Sequence, residues 1–123
     1  MPTPPSPTSP LGDDEIILRH IPEALDGPEV EPGNFELRKG EEYSSVCRVA
    51  ITDARALLSK LKTTTGSRVA AARVGDIRAL GFRVEPKPSS RLPGHAGIFS
   101  DAASLNDDIS RIDLANVFKY INI

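Results

Sequence analysis

A chain of 123 residues has room for one domain, since domains commonly run to about 100–150 residues, and this excludes a multidomain enzyme. With 39% hydrophobic and 26% charged residues and a net charge of −2, its composition is that of an ordinary globular protein, which excludes wholesale disorder, collagen-like repetition and a coiled coil.

Five of the first ten residues are proline, interleaved with Ser and Thr. That composition favours extended polyproline II and offers nothing to bury, so residues 1–13 are expected to form a disordered tail. The tail lacks the cationic start and apolar run of a standard export signal, and no later stretch approaches the roughly 18 apolar residues of a membrane span. A cytoplasmic setting is expected.

Ile16, Ile17 and Leu18 predict a first strand, closed by Pro22. Pro28–Asn34 is rich in turn formers and reads as a loop, and Phe35–Leu37 as a short strand ended by Gly40. Over Ser44–Ile51, Val46, Arg48 and Ala50 alternate with Cys47, Val49 and Ile51, and the second set is expected in the core. Cys47 is the sole cysteine, so neither an internal disulfide nor a cysteine zinc site is available, and a buried thiol makes a poor nucleophile.

Thr52 is placed to cap a helix whose Ala54, Leu57, Leu58 and Leu61 share one face, ending near Gly66. Arg68–Val74 reads as a strand, and Asp76 as the cap of a short helix closed by Gly81. Phe82–Glu85 and Gly94–Ser100 read as strands flanking a loop, Pro86–Pro93. The first half of the last strand has so little side-chain bulk that another group is expected to approach its backbone closely. Ser104-x-x-Asp107 reads as a capping box for a terminal helix carrying Ile109, Ile112, Leu114, Val117, Phe118 and Ile121, mostly buried or paired with a second copy as a homodimer. Strands and helices without strict βαβ alternation predict a single α+β domain over 14–123, a small mixed or antiparallel sheet with two main helices and one short one.

Charge is segregated along the chain. Residues 1–37 carry one Arg against eight acids, residues 38–91 twelve cations against five acids, and residues 92–123 two against four. Arginine suits bidentate contact with phosphate or carboxylate, so the middle third reads as a surface for an anionic partner unless the acidic first third folds over it. Its aromatics, Tyr43 and Phe82, give no stacking platform for a single strand. His95, between small residues in Pro93–Gly97, is expected to be exposed and able to act as a general acid or base, with His20 as a counterpart should the two strand ends be neighbours. No phosphate-binding glycine loop, serine elbow or HExxH motif occurs.

The segments Phe35–Val46 (FELRKGEEYSSV), Arg78–Val84 (RALGFRV) and Pro93–Ile98 (PGHAGI) resemble a group of short uncharacterised bacterial proteins sharing F…G…SV, RxLGxxV and PxHAxI segments. That resemblance implies a bacterial cytoplasmic setting and singles out His95, with Gly97 where bulkier residues are usual. The expected function is a binding protein, as in a toxin–antitoxin or defence-type operon, that recognises a macromolecule, first a protein and second a nucleic acid, through Arg38, Arg48, Arg83, Arg91 and His95. The alternative is a small metal-independent enzyme acting on RNA or a nucleotide through His95 and His20. Neither cofactor nor metal is expected.

Overall fold

The structure, a computed structural model, describes residues 6–21, 27–53, 55–57 and 68–121. Six strands, β1 (Ile16–Ile21), β2 (Tyr43–Arg48), β3 (Arg68–Arg73), β4 (Arg83–Pro86), β5 (His95–Phe99) and β6 (Lys119–Ile121), form one sheet in the order β4-β5-β2-β1-β3-β6. Every neighbouring pair is antiparallel. Among the described residues a 3-10 turn (Pro32–Phe35), two helices, α1 (Val74–Ala79) and α2 (Asp108–Val117), and the helical residues 55–57 accompany the sheet in an α+β fold.

Side chains two apart on a strand share a face. Ile17, Ile21, Val46, Ala70, Ala72, Val84, Ala96 and Ile98 thus line one side of the sheet, where Phe35, Ile77, Leu105, Leu114 and Phe118 close the main core. The Phe35 and Phe118 rings meet there with centroids 4.9 Å apart. The opposite side carries a smaller cluster, Leu18, Cys47, Leu57 and Val69, with Leu92 packed on it. Among the described residues no helix is long and apolar enough to cross a membrane.

The two chain ends differ most from the sequence reading. Of the expected tail, residues 1–5 lie outside the described residues, whereas from Ser6 onward the chain lies against the body and Leu11 is buried in the main core. The cause is Arg48, fully buried on the core side of β2: its guanidinium forks onto both Glu15 carboxylate oxygens (2.9 and 2.8 Å) and donates to the carbonyls of Ser9 (2.7 Å) and Ser6 (3.2 Å). At the other end the terminal helix stops at Val117. Phe118 takes extended backbone, and Lys119–Ile121 pairs with the open edge of β3 as β6. Val117, Phe118 and Ile121 fit either periodicity, and a free strand edge that completes backbone hydrogen bonds decides between them. Ile109 and Ile112 of α2 are exposed rather than buried.

Caps shift by a few residues, as short polar side chains compete for the same backbone donors. Asp107, rather than Ser104, caps α2 by accepting from Ser110 N at 2.9 Å. Asp53, rather than Thr52, accepts from Ala56 N at 2.9 Å at the start of the helical residues Arg55–Leu57, while the buried Thr52 hydroxyl accepts from Gly94 N at 3.3 Å. The remainder of that expected helix lies outside the described residues. Helix α1 begins at Val74, ahead of Asp76, and Phe35–Leu37 contributes to the 3-10 turn instead of a strand.

Candidate functional site

Three consecutive acids take three arginines of the basic middle third. Asp13 pairs with Arg78 (2.7 Å), Asp14 with Arg73 (3.1 Å) and Glu15 with Arg48 (2.8 Å). The acidic first third therefore folds onto part of the basic segment. Arg48, expected at a binding surface, is withdrawn from solvent altogether, because a guanidinium with a bidentate carboxylate and two carbonyl acceptors is satisfied inside the fold.

Among the described residues, Arg83, Lys87 and Arg91 lie exposed along β4, β5 and the loop between them, and Arg83 and Lys87 lean over rings on the side of the sheet away from the main core. Here the register sets Tyr43 of β2 opposite Phe99 of β5, and Phe99 opposite Arg83 of β4. The Tyr43 and Phe99 rings lie 4.9 Å apart, and Tyr43 meets the His95 ring edge-on at 6.0 Å. The Arg83 guanidinium sits 5.1 Å from the Phe99 centroid, and the Lys87 ammonium lies over Phe99 and Tyr43 at 5.4 and 5.9 Å. Glu85 takes a share of the Arg83 charge at 3.5 Å. Gly97 makes the arrangement possible: a Cβ there would stand 2.5 Å from Tyr43 Cδ2, so the Tyr43 ring occupies the space a side chain would fill. This is the close approach that the bare first half of β5 foretold, and it forms an aromatic platform that the sequence reading had excluded.

Beside the platform runs a groove of about 490 Å3 lined by Tyr43, Lys87, Arg91, Leu92 and His95 among others. Leu92 and His95 also wall a second cavity of about 260 Å3, whose other lining includes Leu18 and His20 of β1, Ser45 and Cys47 of β2, and Leu57. This cavity forms where the sheet opens. The register of β1 with β2 ends at Leu18↔Cys47, although β1 pairs with β3 through Ile21 and β2 with β5 back to Tyr43. On the core side the Arg19 guanidinium bridges the opening by donating to the carbonyls of Ser45 and Asn34.

Both sequence-singled histidines thus line one cavity, from opposite walls. His95 Nδ1 donates to the Lys87 carbonyl at 2.8 Å; a carbonyl only accepts, so this bond fixes the tautomer and leaves Nε2 with its lone pair. His20 Nε2 is buried with no hydrogen-bond partner in the protein, and burial, aided by the Arg19 charge, lowers its pKa below the usual 6.5. Folding therefore favours neutral His20, and stability falls as pH drops below the unfolded value of 6.5 toward the folded one. Replacing His20 with Gln is expected to remove this loss, seen as a smaller change in urea midpoint between pH 7.5 and 5 than the parent shows.

Burial pushes the Cys47 thiol up to about 11, which keeps it protonated and inert. Arg38 stands apart from the platform, exposed beside a cavity of about 520 Å3 where it and Arg19 face Glu36 and Glu41 with His20. Two acids there offset two arginines. Among the described residues, no group of three or more His, Cys, Asp or Glu is placed to hold a metal ion. Of the residues singled out from the sequence, His20, Arg91 and His95 line these cavities and Arg83 lies over Phe99; Phe99 and Lys87, which share the platform, are placed there by the β2–β5 and β4–β5 registers, which residue reasoning does not supply. No family model, curated protein or solved structure matches the chain.

Proposed function

We propose that this chain is a small binding protein whose partner is a single-stranded nucleic acid, laid across the β2–β5–β4 part of the open sheet face. The observation that carries this reading is the Tyr43–Phe99 pair with Arg83 and Lys87 over it. Every base has a π-face to stack on such rings, and neighbouring cations neutralise the phosphates between bases. Pairing of Arg48, Arg73 and Arg78 at home takes three arginines out of the basic segment's surface, which weakens the case for a broad acidic protein partner.

The test is a fluorescence-anisotropy titration of labelled 10-residue RNA at several salt concentrations. Stacking is worth about 1–3 kcal/mol per base, so Tyr43→Ala and Phe99→Ala are each expected to weaken binding by roughly 5- to 150-fold. With two or three phosphates neutralised, log K should fall with a slope of about −2 against log salt. An affinity unchanged by Phe99→Ala, or no binding at low salt, sinks this reading and returns a protein to first place as the partner.

A second reading is favoured by the two histidines on one cavity: metal-independent cleavage of the strand with His95 Nε2 as base. His20, held neutral near pH 7, makes a weak acid partner. Incubation of the RNA in EDTA, with and without His95→Ala, separates the two readings. His95-dependent cleavage establishes the enzyme, whereas intact RNA in every arm leaves binding alone.

A further inference from the structure

We infer that the cavity between His20 and His95 is a nucleobase pocket, which receives one unstacked base from the strand lying on Tyr43 and Phe99. This rests on the single-strand reading above and gives it a means of discriminating bases. The geometry argues for it first. Phe99, Tyr43 and His95 form a run of rings spaced 4.9 and 6.0 Å, and the last of them is a wall of the cavity, so the platform leads into it.

The lining selects the ligand's chemistry. Leu18, Cys47, Leu57 and Leu92 make apolar walls, and Ser45 with the two imidazoles supplies hydrogen-bonding groups. Among the described residues that line it there is no carboxylate to recommend a cation. Arg19, also a lining residue, spends both guanidinium Nη groups on backbone carbonyls and keeps only Nε without a partner, so a phosphate would find a single N–H there instead of a fork. What fits is a neutral, flat heterocycle with polar edges. At about 260 Å3 the space is smaller than the roughly 300–1,000 Å3 usual for whole drug-sized ligands.

The groove next door completes the assignment. It shares His95 and Leu92 with the cavity and carries Lys87 and Arg91, so a base seated in one places its phosphate beside cations in the other.

The experiment compares the four nucleoside 5′-monophosphates with ribose 5-phosphate by calorimetry on the full chain. At least one mononucleotide is expected to bind tenfold or more tightly than the sugar phosphate. Ser45→Trp fills the cavity from an exposed strand position, and it should erase that margin while leaving the weak affinity for ribose 5-phosphate unchanged. Ser45→Phe, a smaller filler at the same position, serves the same purpose should Ser45→Trp fail to fold by circular dichroism. Equal affinity for sugar phosphate and all mononucleotides, or a margin that survives both substitutions, overturns the pocket. Oligonucleotide binding that still depends on Phe99 in that event shows that the platform stands without it. Loss of both shows that the parent reading has failed.

Discussion

Arg48→Met is expected to destabilise the protein by about 3–5 kcal/mol, since it strands Glu15 as an unpaired charge largely shielded from water. For a domain of this size that corresponds to a melting temperature lower by roughly 10–20 °C. The loss has two parts: the fork onto Glu15 disappears, and the carbonyls of Ser9 and Ser6 lose the Arg48 donor, Ser6 keeping those of Ser9 N and Oγ. Arg48→Lys should recover a minor share, because an ammonium cannot reproduce a planar fork with donors on three sides. The double change Arg48→Met with Glu15→Leu removes the orphaned charge and should regain much of the deficit, as replacing both members of a buried pair often does. Thermal denaturation of the three variants checks the ordering. A single Arg48→Met as stable as the parent would show that residues 6–15 are not held by this contact.

Gly97→Val is expected to abolish recognition of the strand while leaving the fold in place. The new Cβ would stand 2.5 Å from Tyr43 Cδ2 and 3.0 Å from Phe99 Cε1, far inside ordinary contact. The Tyr43 ring is partly exposed and can swing away, so the sheet survives and the platform does not. Overpacking typically costs 1–3 kcal/mol, and the gain from replacing a strand glycine, roughly 0.5–1 kcal/mol, offsets part of it. RNA affinity should fall as far as it does in Tyr43→Ala, and the double variant should fall little further, because both changes remove the same ring. Additive losses in that cycle, or wild-type affinity in Gly97→Val, would separate Gly97 from the platform.

Much of the central sheet was legible from local signals: the β-branched run at Ile16–Leu18, the short glycine-flanked stretch holding Arg68–Arg73, the alternation through Arg83–Glu85 and the stretch holding His95–Phe99 all lie in strands. The errors fall where the deciding partner is distant in sequence. Lys119–Ile121 becomes a strand because β3 has an edge to offer, and Ser6–Leu11 is held because Arg48 needs acceptors. The site follows the same division. A crowded backbone near Gly97 could be read from neighbouring small residues, but not that the crowding group is Tyr43, nor that Tyr43 and the Lys87 carbonyl leave His95 half-buried where those small neighbours had pointed to full exposure. Phe99 went unnoticed beside Tyr43 because their meeting depends on the β2–β5 register. Which arginines would be neutralised was equally hidden, since Asp13, Asp14 and Glu15 choose among them by where β1 lies.

The parting of β1 from β2 beyond Leu18 divides the sheet into two leaves, β4-β5-β2 and β1-β3-β6, joined at Leu18 and Cys47. Each leaf is stitched by its own longer ladders, and the main core runs unbroken beneath both, from Ala70 and Ile17 to Val46 and Ile98. Arg48 and Glu15 clasp the joined end, and Arg19 latches the far margin through Ser45. The slot between the leaves is therefore braced at both ends, which lets a sheet carry an opening without surrendering the core behind it.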